Sequence, residues 1–119
     1  MIYEGTEWLT AHQVASRAGV AVGSVRRWKA QRKLFSIWLA GRSVYPAYAF
    51  DRVRQWRPLA VVAEVLSAAP EWAPGYTAAF FESTSSFLGG RRPREILSLD
   101  PRRAIAAAKF ALDTERHPG

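Results

Sequence analysis

The stretch that decides the fold lies at residues 10–29 and runs TAHQVASRAGVAVGSVRRWK. Thr10 is a good N-cap for a short helix over residues 11–18, because its hydroxyl accepts a hydrogen bond from a backbone N–H of the first turn. Gly19 follows that helix, and glycine adopts the positive φ of a tight turn without steric cost. Val20 then points into a small apolar core. The stretch therefore begins with a helix and a turn.

A second helix is predicted directly after this turn, from about Val22 to Lys29 or Gln31. It lacks a favoured cap, since Ala21 stands where Ser, Thr, Asp or Asn is usual. Its apolar residues recur at steps of three, as Val22, Val25 and Trp28. Its outer face is polar and basic, and consists of Gly23, Ser24, Arg26, Arg27 and Lys29. Two short helices joined by a tight turn are typical of a helix-turn-helix.

A β-hairpin is predicted after the second helix. Residues 34–39 form its first strand, residues 40–43 a glycine-containing turn, and residues 44–46 its second strand. The hairpin has the size of a small wing. Residues 52–58 follow as a basic connector without periodicity.

Helical periodicity dominates the second half of the chain. Apolar residues at steps of three and four predict a helix over residues 59–69, and shorter helices follow. Asp100 and Pro101 supply the cap and the first position of the last helix. The chain is therefore predicted to be mainly α. It combines a small winged helix-turn-helix with a β-hairpin, over residues 1–57, and a compact helical domain over residues 58–119.

The positive charge is confined to one half of the chain. Its 119 residues include 17 Lys and Arg against 10 Asp and Glu, a net charge of +7. Residues 1–57 hold ten basic and three acidic residues, whereas residues 58–119 hold seven of each. Such asymmetry is typical of a protein that binds nucleic acid through one part only.

Several classes of protein are excluded or disfavoured by composition. The chain has no cysteine, which excludes disulfide frameworks, thiolate zinc sites and cysteine nucleophiles. No apolar run approaches the roughly 18–20 residues of a spanning helix, and the first residues lack the features of a signal peptide. We therefore expect a cytoplasmic protein without membrane contact.

Catalytic chemistry has no recognisable basis in the sequence. An enzyme needs a nucleophile, base or metal in convergent positions, and no such set occurs at a recognisable spacing. His12 and His117 stand alone, and Glu82 and Glu95 fit solvent-facing positions. We expect no enzyme activity, no catalytic residue, no metal and no cofactor.

Two motifs in the second half resemble a known family. They are FLGGRRPREIL at residues 87–97 and DPRRAIAAA at residues 100–108, with Trp72 upstream. This pattern resembles the toxin-binding domain of the Xre/MbcA/ParS antitoxin family, and the resemblance covers about residues 58–113. The first module, with Gly19 and the residues around it, looks like the broader MerR or excisionase type of winged helix-turn-helix. Many relatives carry a longer, phage-repressor-like bundle instead.

The resemblance implies a partner and a regulatory role. Antitoxins of this family neutralise a toxin by direct binding, often a RES-domain enzyme that degrades NAD, and repress their own operon. The expected partners are thus a cognate toxin and operator double-stranded DNA, with a homodimer as the usual way for such motifs to gain affinity.

The predicted DNA-binding residues follow from the helix-turn-helix geometry. Residues near the N-terminus of the second helix contact base edges in the major groove, which makes Gly23, Ser24, Arg26 and Arg27 the candidates. Phosphate contacts are expected from Lys29, Arg32 and Lys33. Arg42 at the wing tip contacts either the minor groove or a phosphate. We expect Trp28 and Trp38 in the core, because both fall on the buried phase of their elements.

The predicted toxin-binding surface surrounds the Gly-rich turn. It consists of Phe87, Leu88, Arg91, Arg92, Arg94 and Glu95. Arginine beside aromatic residues is the mixture enriched in interface cores. The same turn is alternatively a phosphate cradle at a helix N-terminus or a purely structural turn.

Two other functions remain open at the level of sequence. One is a MerR- or excisionase-like transcriptional regulator whose helical domain only dimerises it. The other is an adaptor that binds protein and no DNA. Salt-dependent binding to duplex DNA separates the adaptor from the rest.

Overall fold

The computed structural model describes residues 4–116 and divides into two compact units, with the division between Ala63 and Glu64. The boundary predicted from sequence lies six residues earlier, after residue 57. The described part of the chain is mainly α-helical with small antiparallel sheets.

The first unit alternates short strands and helices. In chain order its elements are β1 (Trp8–Thr10), α1 (Ala11–Ala18), α2 (Val22–Ala30), β2 (Ile37–Leu39), β3 (Arg42–Pro46), a 3₁₀ turn (Ala47–Ala49), β4 (Phe50–Asp51) and β5 (Arg57–Pro58).

The helical pair forms where the sequence predicts it. Thr10 and Gln13 make a capping box: the Thr10 hydroxyl accepts from the Gln13 backbone N–H at 3.2 Å, and Gln13 Oε1 accepts from the Thr10 N–H at 2.8 Å. Gly19 ends α1 with φ of 68°. α2 begins after Ala21 without a side-chain cap. The two predicted helices and their turn are confirmed.

Three strands form an antiparallel sheet in the order β1-β3-β2. β1 was not predicted, because its partner β3 lies more than thirty residues away in sequence. The hairpin strand predicted over residues 34–39 is shorter than expected, since only Ile37–Leu39 pair with β3. Ala40 and Gly41 both have positive φ, as a two-residue hairpin turn requires.

The predicted connector over residues 52–58 is folded. β4 and β5 pair antiparallel, with Asp51 opposite Arg57. One oxygen of the Asp51 carboxylate accepts from the Val53 and Arg54 backbone N–H groups, at 3.0 and 3.2 Å. The chain then turns back through Trp56, whose N–H donates to the Asp51 carbonyl at 2.9 Å. This segment is held by local hydrogen bonds and has no periodic apolar residues, so a sequence pattern does not detect its structure.

The core of the first unit is apolar. Its buried residues include Leu9, Val14, Ala15, Ala18, Val25, Leu34, Phe35, Val44, Tyr45, Ala47, Ala49, Phe50, Val61 and Val62. α1 contributes three of these residues and α2 contributes Val25, whereas Val22 and Trp28, predicted on the same apolar face of α2, are only half-buried.

The second half of the chain is helical. Its elements are α3 (Ala60–Ala68), within which the division falls, α4 (Pro74–Glu82), 3₁₀ turns at Ser86–Leu88 and Pro93–Glu95, and α5 (Pro101–Arg116). Asp100 caps α5, because its carboxylate accepts from the Arg103 N–H at 3.2 Å. The predicted cap of the last helix is confirmed.

Small residues form the buried side of α5. Ala104, Ala107 and Ala108 are buried, next in the core to larger side chains such as Phe81 and Ile96. A helix with a face of alanines packs closely against its neighbours. Among residues 4–116, no helix has both the length and the apolar character needed to cross a membrane.

Candidate nucleic-acid and partner interfaces

The outer face of α2 carries exposed positive charge. Arg26, Arg27 and Lys29 are exposed, whereas Val25 is completely buried. The predicted orientation of this helix is therefore confirmed. Of the other predicted DNA-binding residues, Gly23, Arg32, Lys33 and Arg42 are exposed and Ser24 is half-buried.

A groove lies between α2 and the β2–β3 hairpin, and residues 10–12 at the start of α1 complete its lining. It has a volume of about 770 Å³. Arg26 and Lys29 line it from α2, and Arg42 lines it from the hairpin turn. Neither Asp nor Glu occurs among the described residues that line it, and no ion pair within residues 4–116 involves these three cations. The groove thus concentrates uncompensated positive charge on a concave surface.

Tyr45 forms part of this groove at the buried end. Burial raises the pKa of the Tyr45 hydroxyl, and the positive charge of Arg26 opposes that rise. The Arg26 guanidinium therefore acts electrostatically on the groove lining as well as on solvent.

Trp38 lies in the same groove and is not a core residue. Its side chain is 75% exposed, which corrects the expectation of burial. Along β2, Trp38 alternates with Ile37 and Leu39, which are half-buried, so its side chain lies on the opposite face of the strand from theirs. Trp28 is half-buried, and the Arg57 guanidinium lies 5.7 Å from its ring centre.

A second basic cluster surrounds Trp56 and was missed by the sequence reasoning. The guanidinium groups of Arg17 and Arg52 lie 5.0 and 5.2 Å from its ring centre. Arg17 also donates two hydrogen bonds to the Glu7 carboxylate, at 2.9 and 2.7 Å. This hydrogen bonding lowers the pKa of Glu7 and raises that of Arg17. The arginines of this cluster contact Trp56, and Arg17 also pairs with Glu7, whereas the cations of the groove have no ion pair within residues 4–116.

The Gly-rich turn of the second unit is built by two glycines of positive φ. Gly89 and Gly90 have φ of 65° and 86°. A Cβ atom would meet nothing within 4 Å at either position, so backbone conformation and not space requires glycine here. Ser85 and Arg91 close the turn with an N–H to carbonyl hydrogen bond of 2.9 Å.

The predicted toxin-binding residues divide into exposed and internal groups. Phe87, Arg91 and Glu95 are exposed. Leu88 is 1% exposed and belongs to the core. Arg92 is half-buried, and its Nε donates to the Glu82 carbonyl at 2.8 Å. A partner docking on the native surface therefore meets the exposed three and not Leu88.

Glu82 and Arg94 form an ion pair, with Arg94 Nε 2.9 Å from Glu82 Oε1. The Glu82 side chain is 2% exposed, which corrects the expectation that it faces solvent. A buried carboxylate needs such a partner, because an unpaired buried charge is strongly destabilising. Arg94 thus serves the packing of its own unit.

An aromatic groove lies between α4, α5 and the loop of residues 83–86. It has a volume of about 460 Å³ and is lined by Tyr76, Phe80 and Phe110 among others. Tyr76 and Phe110 are about half exposed. The i,i+4 spacing of Tyr76 and Phe80 on one helix is the signal that would have identified this groove in the sequence.

Glu115 sits at the edge of this aromatic groove. The Trp72 indole donates to its carboxylate at 3.3 Å. A hydrogen bond with Glu115 raises the pKa of Tyr76. Glu115 therefore links the start of α4 to the last turn of α5.

Among residues 4–116, no cluster of three or more His, Cys, Asp or Glu is placed to hold a metal ion. His117 lies outside the described residues. No family model matches the chain, and no curated protein or solved structure matches it either.

Proposed function

We propose that the first unit is a winged helix-turn-helix that binds duplex DNA. The observation that carries this proposal is the groove in which Arg26 and Lys29 of α2 and Arg42 of the hairpin come together without a carboxylate. Clustered arginine and lysine beside a protruding helix match the phosphate backbone of a duplex and the base edges in its major groove.

We propose that the second unit binds a protein, and that the whole chain is an antitoxin. The support is the likeness of FLGGRRPREIL and DPRRAIAAA to antitoxin motifs, together with exposed arginine and aromatic residues around the turn of Gly89 and Gly90. Such residues are enriched at interface centres. In this proposal the chain neutralises a toxin in the cytoplasm by direct binding, with a RES-type, NAD-degrading enzyme as the expected partner, and performs no catalysis.

A transcriptional regulator without a toxin partner is the second candidate. The aromatic groove favours it, because exposed Tyr76 and Phe110 also suit a dimer contact between two copies. The two candidates agree on DNA binding and differ only in what the second unit contacts.

DNA binding is tested with the full chain and a duplex from immediately upstream of its own coding sequence. Fluorescence anisotropy over a salt series should show affinity falling steeply as salt rises, with a log–log slope near −0.9 per phosphate contacted. Arg26→Glu should weaken binding, whereas Arg102→Glu on α5 supplies the charge-matched control. Absence of binding by the wild-type chain at low salt contradicts the proposal.

The protein partner is tested by co-expressing the chain with the product of its adjacent gene. The antitoxin proposal expects the adjacent product to arrest growth alone and the co-expressed pair to grow and co-purify. Growth of cells that express the adjacent gene alone favours the regulator instead.

A further inference from the structure

We infer that the groove between α2 and the β2–β3 hairpin seats one sugar–phosphate strand of duplex DNA, with Trp38 packed against that strand, and that Arg27 rather than Arg26 is the arginine that contacts bases. This inference rests on the proposed DNA binding and specifies the contacts that it requires.

The position of Trp38 follows from the register of the sheet. Trp38 lies directly opposite Ser43, so both side chains are on the same face. Tyr45 is two residues further along β3 and shares that face. All three line the groove, to which α2 contributes Arg26 and Lys29. The Trp38 indole on this face is 75% exposed.

Three cations line the same groove as this indole. Arg26 and Lys29 are three residues apart on α2 and therefore neighbours on the helix surface. Arg42, the first residue of β3, lines the groove from the hairpin. The three cations repel each other, because no carboxylate lies among them. A bound anion attracts all three and so offsets this repulsion. A phosphodiester strand supplies the anions, and its deoxyribose rings supply apolar surface for the indole.

The geometry of duplex DNA places a single strand at this position. A helix in the major groove and a hairpin at the adjoining minor groove are separated by one sugar–phosphate strand. The space between α2 and the hairpin is therefore where that strand must pass.

Arg27 lies on the other flank of α2. Consecutive helical residues are about 100° apart, so Arg27 points away from the flank of Arg26. Arg27 is exposed and does not line the groove, whereas Arg26 does. Between the two arginines the outer face of α2 holds only the small residues Gly23 and Ala30. This small surface lets the helix approach base edges, with Arg27 as the side chain long enough to reach them.

The test measures affinity of full-length variants for two duplexes, the upstream duplex and a scrambled one of the same length and composition, over a salt series. Trp38→Ala should weaken binding to both duplexes about tenfold without changing the salt slope, since a buried aromatic contact contributes without releasing counterions. Trp38→Phe should restore most of the lost affinity. Leu99→Ala, another exposed apolar residue, is the control and should change nothing.

The same experiment distinguishes the role of Arg26 from that of Arg27. Arg26→Gln should weaken both duplexes alike and reduce the salt slope by about 1. Arg27→Gln should lower affinity for the upstream duplex by about 5- to 150-fold and spare the scrambled duplex, because a bidentate base contact contributes about 1–3 kcal/mol of discrimination. Arg102→Gln is the charge-matched control.

The outcomes separate this inference from the proposal on which it rests. If the wild-type chain binds neither duplex, DNA binding itself fails. If the wild-type chain binds, and the Trp38→Ala variant binds equally well with an unchanged melting temperature, then Trp38 does not pack against the DNA strand. The proposal of DNA binding stands in that case. A loss of discrimination in Arg26→Gln but not in Arg27→Gln overturns the assignment of the two arginines.

Discussion

Glu82 and Arg94 are twelve residues apart in sequence and 2.9 Å apart in the second unit, where the Glu82 side chain is 2% exposed. The adjacent Arg92 donates to the Glu82 carbonyl, so two arginines hold the end of α4. These contacts tie the segment after the Gly-rich turn to α4. They also mean that arginines close together in sequence have different roles.

Arg94→Ala should destabilise the protein by about 3 kcal/mol, because it leaves the Glu82 carboxylate buried without its charged partner. Arg91→Ala should change the free energy of unfolding by less than about 0.5 kcal/mol, since Arg91 is exposed. Urea denaturation of the full chain measures both. Equal stability of the two variants would show that the ion pair has little effect on folding.

Gly23→Ala should stabilise the free protein and weaken DNA binding. Gly23 is the second residue of α2, has no positive φ, and has open space where a Cβ would lie, so alanine is favoured there by up to about 0.5 kcal/mol. A methyl group on the face that approaches the bases should nevertheless lower affinity for the upstream duplex.

Gly75→Ala is the matched control for Gly23→Ala. Gly75 is the second residue of α4, which also has nine residues, and it too has open space at the Cβ position. It should show the same gain in stability with unchanged DNA affinity. If Gly23→Ala binds DNA as tightly as the wild type, α2 does not approach the duplex through this face.

Local patterns predicted the local structure, and pairing between distant residues escaped them. The Thr10 cap, the Gly19 turn and the burial of Val25 depend on neighbours within four residues and are confirmed, whereas Val22 and Trp28 of the same predicted face are only half-buried. β1 depends on β3, and burial of Glu82 depends on Arg94. A local pattern of hydrophobic residues does not show which residues distant in the sequence pair with each other.

The candidate sites show the same division. The exposure of Arg26 follows from helical periodicity, but the exposure of Trp38 depends on which face of β2 packs against the rest of the unit. The assembly of Arg42 with α2 into one groove likewise depends on where the hairpin packs. The sequence identified the cations of the groove, whereas only the fold shows which of them act together.

Glu7→Gln should reduce stability at neutral pH and leave it unchanged in strong acid. The hydrogen bonds from Arg17 lower the pKa of Glu7 in the folded state. A carboxyl with a lowered pKa contributes stability above its unfolded pKa, and this contribution is lost as the pH falls through the folded value. Urea midpoints at pH 7 and pH 3 measure the effect, with exposed Glu71→Gln as control. An equal loss at both pH values would contradict the ionic origin.

Arg91→Glu should abolish neutralisation of the toxin while the fold and DNA binding persist. Arg91 is the best reporter of the predicted surface, because it is exposed and its side chain makes a single hydrogen bond within residues 4–116, from Nε to the Leu88 carbonyl at 3.3 Å. Reversal of Arg92 or Arg94 instead disturbs the contacts to Glu82, and loss of function there reports misfolding as readily as a lost interface.

Growth under co-expression with the adjacent gene product, together with anisotropy on the upstream duplex, measures both activities. Tyr76→Ala in the aromatic groove is the comparison. If Arg91→Glu still rescues growth and Tyr76→Ala does not, the partner occupies the groove between α4 and α5, and the surface assigned to the Gly-rich turn is wrong.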